Sequence, residues 1–158
     1  MGGVLAVTQP YGAGLGQQLP FIRPNPAAGA NLSYTWDGYG IYRLLSVVFT
    51  VTLANAGSNR LVTVEYRGKD NLPFSVNEAT TVQVINTAER YAGSIAYSVS
   101  DFNTGTDLMF PLDPVFQFPG DTFNIIIASI DASDTITNVR GVMERFPLSR
   151  DNLPTREP

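Results

Sequence analysis

The residues best suited to chemistry are acidic. In "SIDASDTIT", residues 129–137, two aspartates stand three apart, between the apolar runs "DTFNIII" and "NVRGVM". Two carboxylates this close can hold a cation or exchange a proton. They can equally turn the chain, because an Asp that opens a turn accepts an N–H two residues on. The stretch "DASD" has the length of a four-residue link between paired strands, usually built on a type I turn. The chain has no His and no Cys to complete a site around it. The expectation is therefore a hairpin tip: Ile130 ends one strand, Asp131 opens the turn, Asp134 keeps the exit wet, and Ile136 begins the next strand.

A second acidic loop, "DFNTGTD", sets Asp101, Asn103, Gly105 and Asp107 at alternate positions, as a calcium loop does. A calcium loop wants Gly at its sixth place and a bidentate Glu at its twelfth. Thr106 and Leu112 stand there instead, so the reading is a polar loop between strands. Glu65, Glu78, Glu89, Asp113 and Asp121 are scattered, and a glycosidase pair must flank one bond at roughly 5–9.5 Å. Without such a cluster they read as surface acids. The absence of His and Cys removes Ser-His-Asp and Cys-His catalysis, zinc sites and disulfides. No catalytic residue, no cofactor and no metal site is expected, and the chain is read as not an enzyme.

Two other residue classes point to contact. "SYTWDGYGIYR" gathers Tyr34, Trp36, Tyr39 and Tyr42, which suit core packing, a protein interface or, less well, a sugar platform. The ten basic residues are all Arg except Lys69. Arg is the planar, bidentate choice for interface ion pairs, and Arg60, Arg140, Arg145, Arg150 and Arg156 are candidates.

The elements that carry these residues follow from periodicity. The chain has 158 residues, 44% hydrophobic and 15% charged, with net charge −4. That suits one globular domain without the basic footprint of a nucleic-acid binder. No apolar run approaches the roughly 20 residues of a membrane span. The start lacks the basic and apolar regions of a signal peptide, so a soluble, unsecreted chain is expected.

Residues 1–31 are dense in Gly and Pro and read as an extended arm. Ordering thirty residues costs roughly 30–60 kcal/mol in backbone entropy. Val4, Leu5, Val7, Tyr11, Leu15, Leu19, Phe21 and Ile22 could offset that by burial, and neighbouring subunits are the expected receptor. With Trp36 and Arg150, they form the candidate partner interface.

Residues 32–147 alternate with period two. "YRLLSVVFTVTLA" reads as a long strand with Leu45, Val47, Phe49, Val51 and Leu53 on one face. It is joined through "NAGSN", with Gly57 in the loop, to "RLVTVEYR" as a hairpin. "TTVQVIN", "GSIAYSVS", "DLMFPL", "FPGDTFNIIIASI" and "TITNVRGVMERF" follow as strands, with Pro119-Gly120 as a type II turn and Gly141 as a bulge. "NEATTVQVINTAERY" could hold a helical turn at either end. About eight strands in an antiparallel, jelly-roll-like β-sandwich are expected. Residues 148–158 read as an extended polar tail.

Two stretches carry a family likeness. "GIYRLLSVVFTVTLANAGSNRLVTVEYRG" and "FPGDTFNIIIASIDASDTITNVRGVMERFP" resemble small jelly-roll virion proteins of tailed bacteriophages, over roughly residues 36–147. The shared features are an oily strand ending in a loop and Asn59-Arg60, a late "PGD" opening a long strand, and a closing strand. The resemblance implies a capsid decoration or cement protein on the virion surface, often a trimer, whose partner is the major capsid protein or another virion subunit. A head–tail or tail accessory, or a glycan- or host-binding module, is the alternative. Neither direct nucleic-acid binding nor a membrane is implied.

Overall fold

Period-two alternation of β-branched and aromatic residues favours strands, because such side chains pack well on a half-buried pleated surface. The computed structural model describes residues 16–38, 40–54, 58–79, 81–95 and 107–147. Its regular elements are all strands, nine among the described residues, in two sheets. This is the expected all-β sandwich, with one strand more than expected.

The first sheet is built on two long strands, β3 (Gly40–Thr52) and β9 (Thr135–Pro147), which pair antiparallel. β1 (Gln17–Ile22) flanks β9, and β6 (Ala88–Ser94) flanks β3. β7 (Asp107–Pro111) lies parallel to β6 at the edge. The second sheet orders β2 (Leu32–Thr35), β8 (Thr122–Ile127), β4 (Val62–Arg67) and β5 (Pro73–Glu78). Four antiparallel pairings nest inside one another along the chain: β1 with β9, β2 with β8, β3 with β6 and β4 with β5.

Several expectations change. Residues 17–22, read as arm, form β1, and Phe21 is fully buried against Trp36 and Phe123 at centroid separations of 5.7 and 5.5 Å. Gly and Pro nearby had hidden a strand whose partner lies far along the chain. β3 and β4 are not a hairpin. They sit in different sheets, and β4 hairpins with β5 instead.

Leu45 does not share the core face of β3, because the register against β9 shifts between Leu44 and Ser46. Tyr42 and Leu44 point inward before the shift; Val47, Phe49, Val51 and Leu53 do so after it. A second shift lies between Val48 and Thr50, where β9 carries an extra residue and Asn138 takes φ 57°. That break re-phases Ile136 and Val139 so that both are buried, and the extra residue of β9 lies here rather than at Gly141, where a bulge was expected. Gly141 answers a different need: a Cβ there would collide with the Ser46 carbonyl.

"TTVQVIN" is not a strand. Gln83 makes one isolated bridge to Arg60, and its side chain points inward to the Val51 carbonyl at 2.9 Å and to the Tyr91 hydroxyl at 2.9 Å. Val82 and Val84 are thereby turned outward. The helical turns are absent from the described parts of "NEATTVQVINTAERY", which instead include parts of β5 and β6. The Pro-Gly turn holds as expected, with Gly120 at φ 95° and the Asp121 N–H bonded to the Phe118 carbonyl at 2.9 Å.

The core has two aromatic centres. Trp36 stacks on Tyr42 at 4.9 Å beside Phe21, Tyr66 and Phe123. Phe49 stacks on Tyr91 at 5.2 Å beside Phe110. Gly93 makes room for this second centre, since a Cβ there would lie 2.6 Å from the Phe110 ring.

Candidate functional site

The loop from β8 to β9 brings the two aspartates into one network. Asp131 opens a turn closed by the Asp134 N–H on the Asp131 carbonyl at 3.0 Å. Its carboxylate accepts the Ser133 N–H at 3.1 Å and the Ser133 hydroxyl at 2.7 Å. Those bonds, the hydroxyl's foremost, hold the Asp131 carboxyl below the usual range. The turn is therefore the one expected from the sequence. The hairpin is not, because β8 and β9 belong to different sheets and the loop crosses between them.

Asp134 is not wet either; it is 0% exposed. One oxygen accepts the Ala54 N–H at 2.9 Å. The other accepts Arg60 Nε at 2.8 Å and the Asp131 N–H at 2.8 Å. Burial alone would raise its pKa, but the Asp131 and Ala54 N–H groups and the Arg60 guanidinium together hold it below the ordinary value. Arg60 is itself buried and donates to the Ser58 carbonyl at 3.1 Å. A buried charge must be paired and hydrogen-bonded to be tolerated. The pair thus pins three places together: the end of β3, the start of β4 and the entry to β9. Its oxygens are committed to the protein, and no acid-base chemistry is available from them.

Several other acids are also engaged. Glu144, which sequence reasoning did not single out, is buried on β9. It accepts Arg43 Nε at 3.0 Å and the Gly16 N–H at 3.1 Å. The Arg43 guanidinium lies over the Phe116 and Phe146 rings. Glu65 pairs with Arg67 at 2.7 Å, Asp121 accepts the Phe118 N–H at 2.8 Å, and Asp113 accepts the Ser75 hydroxyl at 2.6 Å. Glu65 and Glu78 belong to one sheet and Glu89 to the other. Among the described residues no three metal-ligating side chains come together. Asp101, Asn103 and Gly105 of the calcium-like loop lie outside the described residues, and so does the side chain of Asp107.

The expected interface residues divide. Trp36 and Phe21 are fully buried, which places them in the core. Trp36 Nε1 donates to Gln117 Oε1 at 2.8 Å, and Gln117 is buried beside it. Tyr42 is buried and donates to the Asp37 carbonyl at 2.6 Å. Tyr34 is half-buried under the Arg23 guanidinium at 3.6 Å. These rings do not form an outward sugar platform. Leu19 is half-buried, and Ile22 is 67% exposed. Val4, Leu5, Val7, Tyr11, Leu15, Tyr39, Gly57 and Arg150 lie outside the described residues.

Among the described residues, several large apolar side chains are on the surface. Leu72, Phe74, Val76, Val82, Val84, Phe116, Phe118 and Val142 are exposed along with Ile22. The signal for them was present as alternation, but its inward and outward phases could not be told apart where polar residues face the core. Among the described residues no helix is long and apolar enough to cross a membrane. Comparisons with protein-family models, curated proteins and solved structures returned no match.

Proposed function

We propose that this chain is a structural protein of a tailed-bacteriophage particle, a decoration or cement subunit that strengthens the shell by contact with capsid subunits. The observation that carries the reading is the placement of apolar surface. The interior is closed by aromatic packing, the buried acids are held by internal partners, and nine large apolar side chains are exposed among the described residues. Such a surface suits burial against neighbours better than it suits chemistry.

The strand order also favours a jelly roll. The nested pairings describe one long hairpin rolled up so that β1, β3, β6 and β9 fall in one sheet and β2, β4, β5 and β8 in the other. The likeness of residues 36–147 to small virion proteins supplies the particle. In this role each copy contributes a modest contact, and a symmetric lattice multiplies it.

The test is localisation on purified particles. Antibody labelling and mass spectrometry of the encoding phage should find the chain on intact heads, and shells lacking it should break at lower temperature. Particles that lack the chain altogether would overturn the proposal. Labelling confined to the tail would make it a head–tail or tail accessory.

A further inference from the structure

The exposed apolar side chains are not evenly spread. Five of the nine, Leu72, Phe74, Val76, Val82 and Val84, fall within thirteen residues of chain, each between 46% and 65% exposed. They follow the outer edge strand of the second sheet, β5, and the segment just after it. Ser75 and Asn77 point inward, where Ser75 Oγ bonds Asp113 and Asn77 Nδ2 bonds Ser75 Oγ at 3.2 Å. That polar pair turns Phe74 and Val76 to the outside.

The edge also has backbone groups to offer. The Ala79 N–H bonds the Val62 carbonyl on β4 at 3.0 Å. By the two-residue alternation of an antiparallel ladder, Asn77 and Ser75 also aim their backbone groups at β4. Val76 and Glu78 then aim theirs away from the sheet. Edge strands are usually blunted by charge, Pro or brevity. β1 and β7 carry Pro20 and Pro111, and β2 has four residues. β5 has Pro73 at its first position and a register shift beside it, but nothing of the kind from Val76 onward.

We infer that this flank is an interface with a second copy of the chain, formed by antiparallel pairing of β5 with β5 about a two-fold axis through Val76. Three considerations select that partner. Five half-exposed side chains present roughly 400 Å² of apolar surface, about as much as an ordinary monomer shows in its largest patch. Two copies meeting there supply about half of the ~800 Å² per partner of a standard interface from these side chains alone, with the strand edge and rim to add.

The stretch from Leu72 to Val84 carries one charge, Glu78, so nothing in it selects an oppositely charged partner. Pairing about Val76 places Glu78 opposite Phe74 of the second copy. The two Glu78 residues then stand roughly 13 Å apart along the strands. That exceeds the screening length of about 8 Å at physiological salt, so they do not oppose the contact. The contact is a property of the free chain and stands or falls independently of any shell.

The chain has no Cys, so a single introduced thiol reports the geometry. In the full chain carrying Val76→Cys, the two sulfurs meet across the axis. A hydrogen-bonded antiparallel pair has Cα atoms about 5.5 Å apart, within disulfide reach. Mild oxidation should convert V76C to a covalent dimer, while V142C, on the other sheet, stays monomeric on a denaturing gel. Sedimentation of the unmodified chain should give a dimer, and Val76→Lys should abolish it without changing the far-ultraviolet spectrum. A monomer at all concentrations, a trimer, or a dimer that survives V76K would each overturn the inference.

Discussion

Asp134 lies in the loop that carries the chain between the sheets, and its two oxygens accept three hydrogen bonds. Replacing it with Asn leaves Arg60 buried without its countercharge, a change that costs about 3–5 kcal/mol. The sign of the pH dependence follows from the depressed pKa. The folded value lies below the ordinary 3.8, so the charged form stabilises the fold above that pH. This contribution fades as pH falls through the folded value. D134N should therefore show a markedly lower denaturation midpoint than the native chain at pH 7, with the two converging below about pH 3.8. Parallel curves from pH 7 to pH 2 would show that the carboxylate is not the cause. Asp131 was legible because its turn bonds are local, two residues on. The partnership of Asp134 with Arg60 spans 74 residues, and that of Glu144 with Arg43 spans 101. Residue type and spacing carry no trace of such pairs.

Strands were legible wherever alternation was clean, because one buried face imposes period two. They were missed where polar side chains face the core, as in β5, or where Pro and Gly flank a short strand, as in β1. Register was the other blind spot. Counting by twos puts Leu45 on the face of Val47, Phe49, Val51 and Leu53, and the shift that displaces it exists only against β9. Gly141 belongs to the same contact. Gly141→Ala would push a methyl into the Ser46 carbonyl, which is main chain and cannot swing aside. Overpacking of this kind costs about 1–3 kcal/mol. Thermal melting should place G141A below the native chain, while Ala at the exposed Val142 should melt within a degree or two of it. Equal midpoints for G141A and V142A would refute the close approach. The element boundaries matter for truncation as well. A chain beginning at Leu32 loses β1 and removes Phe21 from the core, a loss of at least the 3–5 kcal/mol of a Phe-to-Ala change. A chain beginning at Gly16 keeps both, so calorimetry should rank the shorter chain clearly lower.

At the scale of the whole molecule, the class was readable and the connectivity was not. Alternation says that a segment is a strand with one buried face, whereas its neighbour is chosen in three dimensions. Hence the two presumed hairpins, β3 with β4 and β8 with β9, became crossings between sheets. Nearly every pairing is long-range, and such topologies fold in milliseconds to seconds. Refolding of the isolated chain should be correspondingly slow; a microsecond relaxation would contradict the pairing scheme.

The place of β9 between β1 and β3 has a further consequence for synthesis. Gln17 pairs with Arg145, 128 residues later, so β1 leaves the ribosome long before its partner exists. At roughly 5–20 residues per second the wait is about 6–26 s. Throughout that time β1 and β3 lack the strand that lies between them in the sheet. The ladder that joins β1 to β3 therefore closes only once translation has passed residue 147.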